Sequence, residues 1–157
     1  MARLAPGDKA PDFKLLDQSG RPFRLADSLK RGKGPHLVYF YPKADTPGCT
    51  TQACGLRDVA DRIGDAVVIG ISPDAPEKQA KFDTKYGLGF PLLSDPDHSV
   101  ADAYAVWGER SLYGRKFMGI VRSAFLIDAK GKVAEAWYKI SPADTPEKLL
   151  AALSAKA

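Results

Sequence analysis

The sequence of 157 residues predicts an α/β fold, in which short strands alternate with helices. Two continuous apolar runs, at residues 36–41 and 66–71, are typical of strands buried on both faces of a sheet. Helical patterns, in which apolar residues recur every three or four positions, separate the strand-like runs. Because the two kinds of element alternate along the chain, we expect helices packed against a central sheet.

Turn-forming and helix-ending residues bound the predicted elements. The run Asp17-Gln18-Ser19-Gly20 separates two extended segments and predicts an N-terminal β-hairpin. Pro42 ends the first central strand, and Gly64 and Gly87 follow two helical patterns. In the first part of the chain, the sequence predicts a hairpin at 13–16 and 22–25, a strand at 36–41, a helix at 50–63 and a strand at 66–71. A helix between Pro76 and Gly87, a loop at 91–97, a short helix near 100–104 and a long loop at 105–119 are expected to follow. The last predicted elements are a second hairpin at 121–127 and 133–138 and a final helix at 145–153.

Composition predicts one globular domain, residues 1–157, because 45% of the residues are hydrophobic, 27% are charged and no Gly/Ser-rich or Pro-rich linker divides the chain. A membrane-spanning helix needs about 18 consecutive apolar residues, and no run approaches that length. The N-terminus also lacks the apolar core of a signal peptide, so we expect a soluble, cytoplasmic protein. The net charge of +4 comes from scattered basic residues, which does not favour nucleic-acid binding.

Two cysteines, Cys49 and Cys54, are the chemically distinctive residues of the sequence. A bridge between them would close a loop of about six residues and add only about 2 kcal/mol, so stability alone does not explain the pair. Cys49 follows a buried strand and enters a helix, where the helix dipole and unpaired N–H groups favour a thiolate. We therefore take Cys49 as the candidate nucleophile, with a small buried core residue as the alternative.

The spacing of the cysteines predicts a change in the helix when they bond to each other. On the predicted helix Cys49 lies in register with the apolar positions and faces inward, whereas Cys54 lies in register with Asp58 and faces outward. Five residues on an ideal helix separate the Cα atoms by about 8.6 Å and about 140° around the axis. Disulfides rarely span more than about 7 Å, so bonding of the two cysteines requires the first turns of the helix to unwind.

The active-site sequence resembles that of a known family. Pro42-x-x-x-Thr46-x-x-Cys49 is similar to the signature of the peroxiredoxins, and the continuous run from Thr46 to Cys54 resembles the bacterioferritin-comigratory-protein, or peroxiredoxin Q, branch. The resemblance extends over nearly the whole chain, through Ala10-Pro11-Asp12-Phe13, Gly70-Ile71-Ser72, Leu93-Ser94-Asp95-Pro96 and Arg122-Ser123-Ala124-Phe125-Leu126-Ile127-Asp128.

The resemblance implies a thioredoxin-like fold with a central mixed β-sheet, and an enzyme that reduces hydrogen peroxide and organic hydroperoxides. Cys49 matches the peroxidatic cysteine, whose thiolate attacks the peroxide and becomes a sulfenic acid. Cys54 matches the resolving cysteine, which forms an intramolecular disulfide that thioredoxin or a similar dithiol donor reduces. No cofactor, metal, nucleic acid or membrane is implied, and the branch suggests a monomer.

Three further residues take roles from the resemblance. Thr46 matches the position that bonds the bound peroxide, Pro42 the position that shields the thiolate from water, and Arg122 the family arginine beside the thiolate. Arg122 also interrupts an apolar strand-like run, so it needs a partner if it is buried. Gln52 stands where many relatives have Glu, and little functional consequence is expected.

Other interpretations remain open at this stage. Arg122 could be a strand-edge residue paired with a carboxylate, Thr46 a helix N-cap and Pro42 a strand terminator. For the whole protein, one alternative is a thiol–disulfide oxidoreductase, although that activity is expected to show a C-x-x-C pair. A redox sensor or holdase, in which unwinding displays a surface to a partner, is another.

Overall fold

The computed structural model describes residues 3–32 and 34–155 of the chain, and these residues form nine strands and five helices. The strands are β1 (Lys14–Leu16), β2 (Pro22–Arg24), β3 (His36–Phe40), β4 (Val67–Ser72), β5 (Leu92–Ser94), β6 (Trp107–Leu112), β7 (Arg115–Ile120), β8 (Ser123–Ile127) and β9 (Val133–Trp137). The helices are α1 (Leu25–Arg31), α2 (Pro47–Asp58), α3 (Pro76–Tyr86), α4 (Ser99–Ala103) and α5 (Thr145–Ala155).

Seven of the strands form one mixed sheet in the order β2-β1-β5-β4-β3-β8-β9. β3 lies between a parallel neighbour, β4, and an antiparallel neighbour, β8. All five residues of β3 are buried, as its continuous apolar sequence predicts. The predicted N-terminal hairpin is confirmed, because β1 and β2 pair antiparallel, and so is the hairpin of β8 and β9.

Helices cover both faces of this sheet and create two hydrophobic cores. Alternate residues of β3 point to opposite faces, so Val38 and Phe40 enter one core and Leu37 and Tyr39 the other. The first core also receives residues of α1 and α4, and the second receives residues of α2, α3 and α5. The predicted central sheet flanked by helices is therefore confirmed.

The predicted long loop at 105–119 is wrong, because this stretch forms a second, two-stranded sheet of β6 and β7. Its turn contains Tyr113 and Gly114, both with positive φ (52° and 78°), which is the geometry of a tight hairpin turn. Residues 115–118 of β7 are all exposed, so buried and exposed positions do not alternate along this part of the strand. The alternation that identifies a half-buried strand is consequently missing from this sequence.

Other segments also differ from the prediction. The loop predicted at 91–97 contains β5, whose three residues are too few to show a period. The helix predicted at 50–63 starts earlier, with Pro47 in its first turn, and ends at Asp58 before a separate 3-10 turn, Ala60–Arg62. The strand predicted from residue 121 begins at Ser123, so Arg122 immediately precedes β8.

His36, the first residue of β3, makes the free energy of unfolding depend on pH. Its ring is fully buried, with Nε2 2.7 Å from the Ser28 hydroxyl and Nδ1 3.3 Å from the Gly34 carbonyl. Since a carbonyl only accepts, Nδ1 carries the proton and Nε2 accepts from Ser28. Burial lowers the pKa of His36 below its ordinary value of 6.5.

The free energy of unfolding is expected to fall as pH decreases below 6.5. The unfolded chain then binds a proton at residue 36 that the folded protein does not bind, so the slope approaches about 1.4 kcal/mol per pH unit at most. Urea unfolding between pH 7.5 and 5.5 measures this slope, and the His36→Gln variant should have a shallower one. Equal slopes in the two proteins would contradict the assignment.

Candidate active site

Cys49 lies in the first turn of α2, directly after the loop that leaves β3. Pro47 occupies the first turn without loss of a hydrogen bond, and its fixed φ suits a helix start. Cys49 is 1% exposed and packs in the second core. Its sulfur therefore lies near the positive end of the helix, in surroundings that exclude most water.

Arg122, which immediately precedes the neighbouring strand β8, contacts this cysteine. Its Nη2 donates to Cys49 Sγ at 3.4 Å, and its Nη1 donates to Gln52 Oε1 at 2.7 Å. The pairing of Phe40 with Ser123 brings the start of β8 beside the end of β3, which places Arg122 next to the helix start. No carboxylate of the described residues lies within ion-pair distance of Arg122.

Gly48 leaves the space that this contact needs. A Cβ atom at residue 48 would lie 3.0 Å from Arg122 Nη2, closer than a side-chain carbon normally approaches. The glycine in the Pro47-Gly48-Cys49 run therefore lets the guanidinium pass over the first turn and reach the sulfur.

Gln52 orients the guanidinium and is itself fixed by α5. Its amide is fully buried, and Nε2 donates to Thr145 Oγ1 at 3.0 Å. The Thr145 hydroxyl in turn donates its one hydrogen to the Ser141 carbonyl at 2.9 Å, so it can only accept from residue 52. A residue with both an acceptor and a donor is needed here, which glutamine supplies and an ionised glutamate does not.

The loop between β3 and α2 carries the other two predicted residues. Thr46 occupies the N-cap position of α2, but its side chain makes no cap hydrogen bond. Its hydroxyl instead donates to the Lys43 carbonyl at 2.8 Å, which leaves oxygen lone pairs to accept another bond. Pro42 is half-buried just after β3, so its position also fits a strand terminator.

Hydrogen bonds that the sequence did not reveal connect the same loop to α3 and to Asp74, which precedes α3. Asp45 has a left-handed backbone (φ 59°), and its carboxylate accepts from Lys85 Nζ at 2.9 Å and from the Tyr86 hydroxyl at 2.8 Å. These two bonds, with Lys85 the stronger cause, lower the pKa of Asp45. One residue earlier, the Ala44 N–H donates to Asp74 at 2.7 Å. No local pattern predicts such contacts, since the partners lie 30 to 41 residues apart.

Cys54 is half-buried in the middle of α2, and both cysteines are free thiols. Cys54 packs at the border of the second core, so the outward position predicted for it is only partly correct. Because one continuous helix contains both residues, the ideal separation of about 8.6 Å applies to them.

Neither a metal site nor a membrane-spanning helix is evident in the described part of the chain. Among residues 3–32 and 34–155, no group of three or more His, Cys, Asp or Glu side chains could hold a metal ion. In the same residues no helix combines the length and apolar character needed to cross a bilayer.

Comparison with known proteins adds the family. The chain matches the AhpC/TSA family over residues 6–136. A putative peroxiredoxin of Mycobacterium tuberculosis is 48% identical over 157 residues, covering 97% of this chain and 96% of the relative. The peroxiredoxin Bcp of Escherichia coli K12 is 53% identical over 135 residues, 85% of each chain.

Solved structures agree with this match. Peroxidoxin BcpB from Mycobacterium tuberculosis superposes with a TM-score of 0.87 at 39% identity, over 99% of both chains. The bacterioferritin comigratory protein of Xanthomonas campestris, studied for its alkyl peroxide reduction activity, superposes with a TM-score of 0.81 at 34% identity, over 92% of this chain and 91% of that one.

A mixed sheet with helices on both faces, together with the likeness to these solved structures, defines a thioredoxin-fold protein, and its candidate site is a cysteine beside an arginine at the first turn of a helix. The chain belongs to the AhpC/TSA family, in its Bcp/peroxiredoxin Q group of peroxiredoxins. The resemblance and the thioredoxin-like fold expected from the sequence are thus confirmed. As a peroxiredoxin the protein is a peroxidase, with a peroxide substrate and a thiol reductant.

Replacing Arg122 should make the Cys49 thiol less reactive near neutral pH. Arg122→Ala removes the charge beside the sulfur, so the rate of Cys49 alkylation by iodoacetamide at pH 7 should fall about tenfold. Arg122→Lys should be intermediate, because an ammonium keeps the charge but lacks the fork that contacts Cys49 and Gln52 together. Peptide mass spectrometry resolves the rate at Cys49 from that at Cys54.

The matched control for this prediction is Arg115→Ala, which removes the same charge from an exposed position on β7. It should leave the alkylation rate of Cys49 at pH 7 unchanged. An alkylation rate for Arg122→Ala equal to that of the unmodified protein would show that the guanidinium does not act on the sulfur.

Gln52→Glu should also lower the reactivity of Cys49, contrary to the small effect expected from the sequence. A carboxylate would draw the guanidinium toward itself, and it could not donate to Thr145. We expect alkylation of Cys49 at pH 7 to slow about fivefold, the effect of losing about 1 kcal/mol. Gln79→Glu is the control, since Gln79 is equally buried but contacts Tyr41, Ser72 and Leu93 instead. Equal rates in the two variants would refute the role of the amide.

Proposed function

We propose that the protein reduces hydrogen peroxide and organic hydroperoxides through a sulfenic acid on Cys49, resolved by Cys54 and recycled by thioredoxin or a similar dithiol. The observation that supports this proposal most is the contact of the Arg122 guanidinium with a buried cysteine at a helix N-terminus. Both features favour the thiolate, which is the attacking form.

In the first step, the Cys49 thiolate attacks the distal oxygen of the hydroperoxide. A sulfur–oxygen bond forms as the oxygen–oxygen bond breaks, so the hydroxyl group moves to sulfur and the leaving oxygen departs as hydroxide or alkoxide. The leaving oxygen takes a proton and is released as water or an alcohol. The cysteine is oxidised by two electrons and the peroxide is reduced by two.

Three residues would support this step in the proposed reaction. Arg122 stabilises negative charge on the sulfur and then on the peroxide oxygens, since its position is fixed by Gln52. The Thr46 oxygen has lone pairs free to accept from the peroxide hydroxyl, because its own hydrogen is committed to Lys43. Pro42, half-buried at the end of β3, keeps water from the thiolate.

In the second step, the Cys54 thiolate attacks the sulfur of the sulfenic acid. A disulfide forms, the sulfur–oxygen bond breaks, and hydroxide leaves as water after taking a proton. Since α2 holds the two Cα atoms about 8.6 Å apart, the first turns of the helix unwind before this bond can form. A dithiol donor then exchanges with the disulfide and restores both thiols.

A single domain, a monomeric state and a cytoplasmic location are part of the same proposal. An intramolecular resolving cysteine removes the need for a second subunit in the chemistry. Gel filtration of the reduced and the oxidised protein tests the monomer.

The experiment that tests the function is intact mass and free-thiol counting seconds after the reduced protein meets one equivalent of hydrogen peroxide. The unmodified protein should lose about two mass units and both thiols. Cys54→Ser should gain one oxygen atom and lose its thioredoxin-linked turnover, whereas Cys49→Ser should stay unchanged. Full thioredoxin-dependent turnover by Cys54→Ser would overturn the resolving role, and an unchanged mass of the unmodified protein would overturn the peroxidase step.

A further inference from the structure

The helical segment that contains both cysteines is bonded at each end to a single residue, Tyr86. Before Cys49, the Tyr86 hydroxyl donates to Asp45 Oδ1 at 2.8 Å. After Cys54, Arg57 Nη1 donates to the Tyr86 backbone carbonyl at 2.6 Å. Two hydrogen bonds to the last residue of α3 therefore bracket the part of the chain that must unwind for a disulfide to form.

Tyr86 is held in position by its packing and by the end of α3. Its ring packs edge-on against Phe82, with centroids 5.6 Å apart, and Phe82 is 1% exposed in the second core. The next residue, Gly87, ends α3 in the left-handed conformation, with its N–H bonded to the Asp83 carbonyl. Motion of the loop or of α2 therefore breaks the bonds to Tyr86 without requiring Tyr86 itself to move.

The N-terminal bond restrains the backbone of the loop. Asp45 has φ 59°, in the left-handed region, which Asp adopts more readily than most residues but which is still less favourable than right-handed backbone. The Tyr86 hydroxyl and the Lys85 ammonium hold its carboxylate from two sides. Loss of the hydroxyl bond should let the loop leave this conformation more easily, and with it the first turn of α2.

The C-terminal bond has the opposite consequence for disulfide formation. Arg57 lies three residues after Cys54, on the same side of α2, and also contacts Asp58 at 2.8 Å. Its bond to the Tyr86 carbonyl keeps the last turns of α2 in place after the first turns have unwound. Cys54 then stays close to the core while Cys49 moves toward it.

We propose that Tyr86 is a positioning residue for the resolving step: its hydroxyl keeps the Cys49 turn folded, and its carbonyl keeps the Cys54 turn in place. This inference rests on the proposed function, in which Cys54 resolves Cys49. The two bonds have opposite effects on the rate of disulfide formation, because one must break for the reaction and the other must persist.

Tyr86→Phe tests the hydroxyl bond, since it keeps the ring and the carbonyl. Stopped-flow mixing with peroxide should show disulfide formation about fivefold faster, the factor that one net hydrogen bond confers, with oxidation of Cys49 within about twofold of the unmodified rate. Amide hydrogen exchange in residues 46–50 of the reduced protein should rise by a similar factor.

Arg57→Met tests the carbonyl bond. Exchange in residues 55–58 should increase, and disulfide formation should become slower by about twofold to fivefold because Cys54 is no longer held. Tyr138→Phe is the matched control for general destabilisation, since that hydroxyl bonds Leu4 and Tyr104 away from α2. It should change neither the disulfide rate nor the exchange in α2.

The outcomes separate the two proposals. If the unmodified protein forms no disulfide, the proposed function fails, and the exchange measurements still decide whether Tyr86 holds both ends of the segment. If a disulfide forms and Tyr86→Phe leaves its rate unchanged, or if Arg57→Met accelerates it as Tyr86→Phe does, the positioning role of Tyr86 is overturned.

Discussion

The contact on which the site depends is the one between the Arg122 guanidinium and the Cys49 sulfur, 3.4 Å apart. A guanidinium in a half-buried place needs acceptors for several N–H groups, and Gln52 provides one that carries no charge. The positive charge therefore stays available to the sulfur instead of being neutralised by a carboxylate. A neutral partner explains how one arginine can be both fixed in orientation and electrostatically active.

Several strands and helices must be correctly placed for this contact to form. Arg122 immediately precedes β8, Cys49 lies in the first turn of α2 and Thr145 begins α5, so the site is assembled where three elements begin. The register of β3 with β8 brings the first two together, and the close approach of α5 supplies the acceptor for Gln52. Residues 49, 122 and 145 are far apart in sequence, so a change in sheet register would separate them.

The sequence predicts the parts of this arrangement that depend on short-range pattern. The buried strand β3, the start of α2 near Cys49 and the inward position of that cysteine follow from apolar runs and helical period. The roles of Thr46, Pro42 and Arg122 required a family resemblance, because each residue also suits an ordinary structural position. The β6–β7 ribbon was not predicted because residues 115–118 of β7 are all exposed, so burial imposes no period on them, although Trp107 and Ile120 at the base of the ribbon pack against the first core.

The polar network lies beyond sequence reasoning for a different reason. Gln52 looks like a tolerant replacement when only its residue type is considered, and its significance comes from a threonine hydroxyl 93 positions away whose hydrogen is already used. Which donor pairs with which acceptor is determined only once the chain is folded.

The folded helix has different effects on the two cysteines. Its N-terminus and Arg122 favour the reactive form of Cys49, yet the same helix holds Cys54 beyond disulfide distance. Interactions that stabilise the folded first turn therefore favour attack on the peroxide and oppose resolution. Because a hydrogen bond near the surface contributes only about 1 kcal/mol, a few bonds around the loop are enough to set the balance between the two steps. The bonds of Asp45 and Arg57 to Tyr86 lie at the two ends of the segment, where they would change the rate of the resolving step in opposite directions.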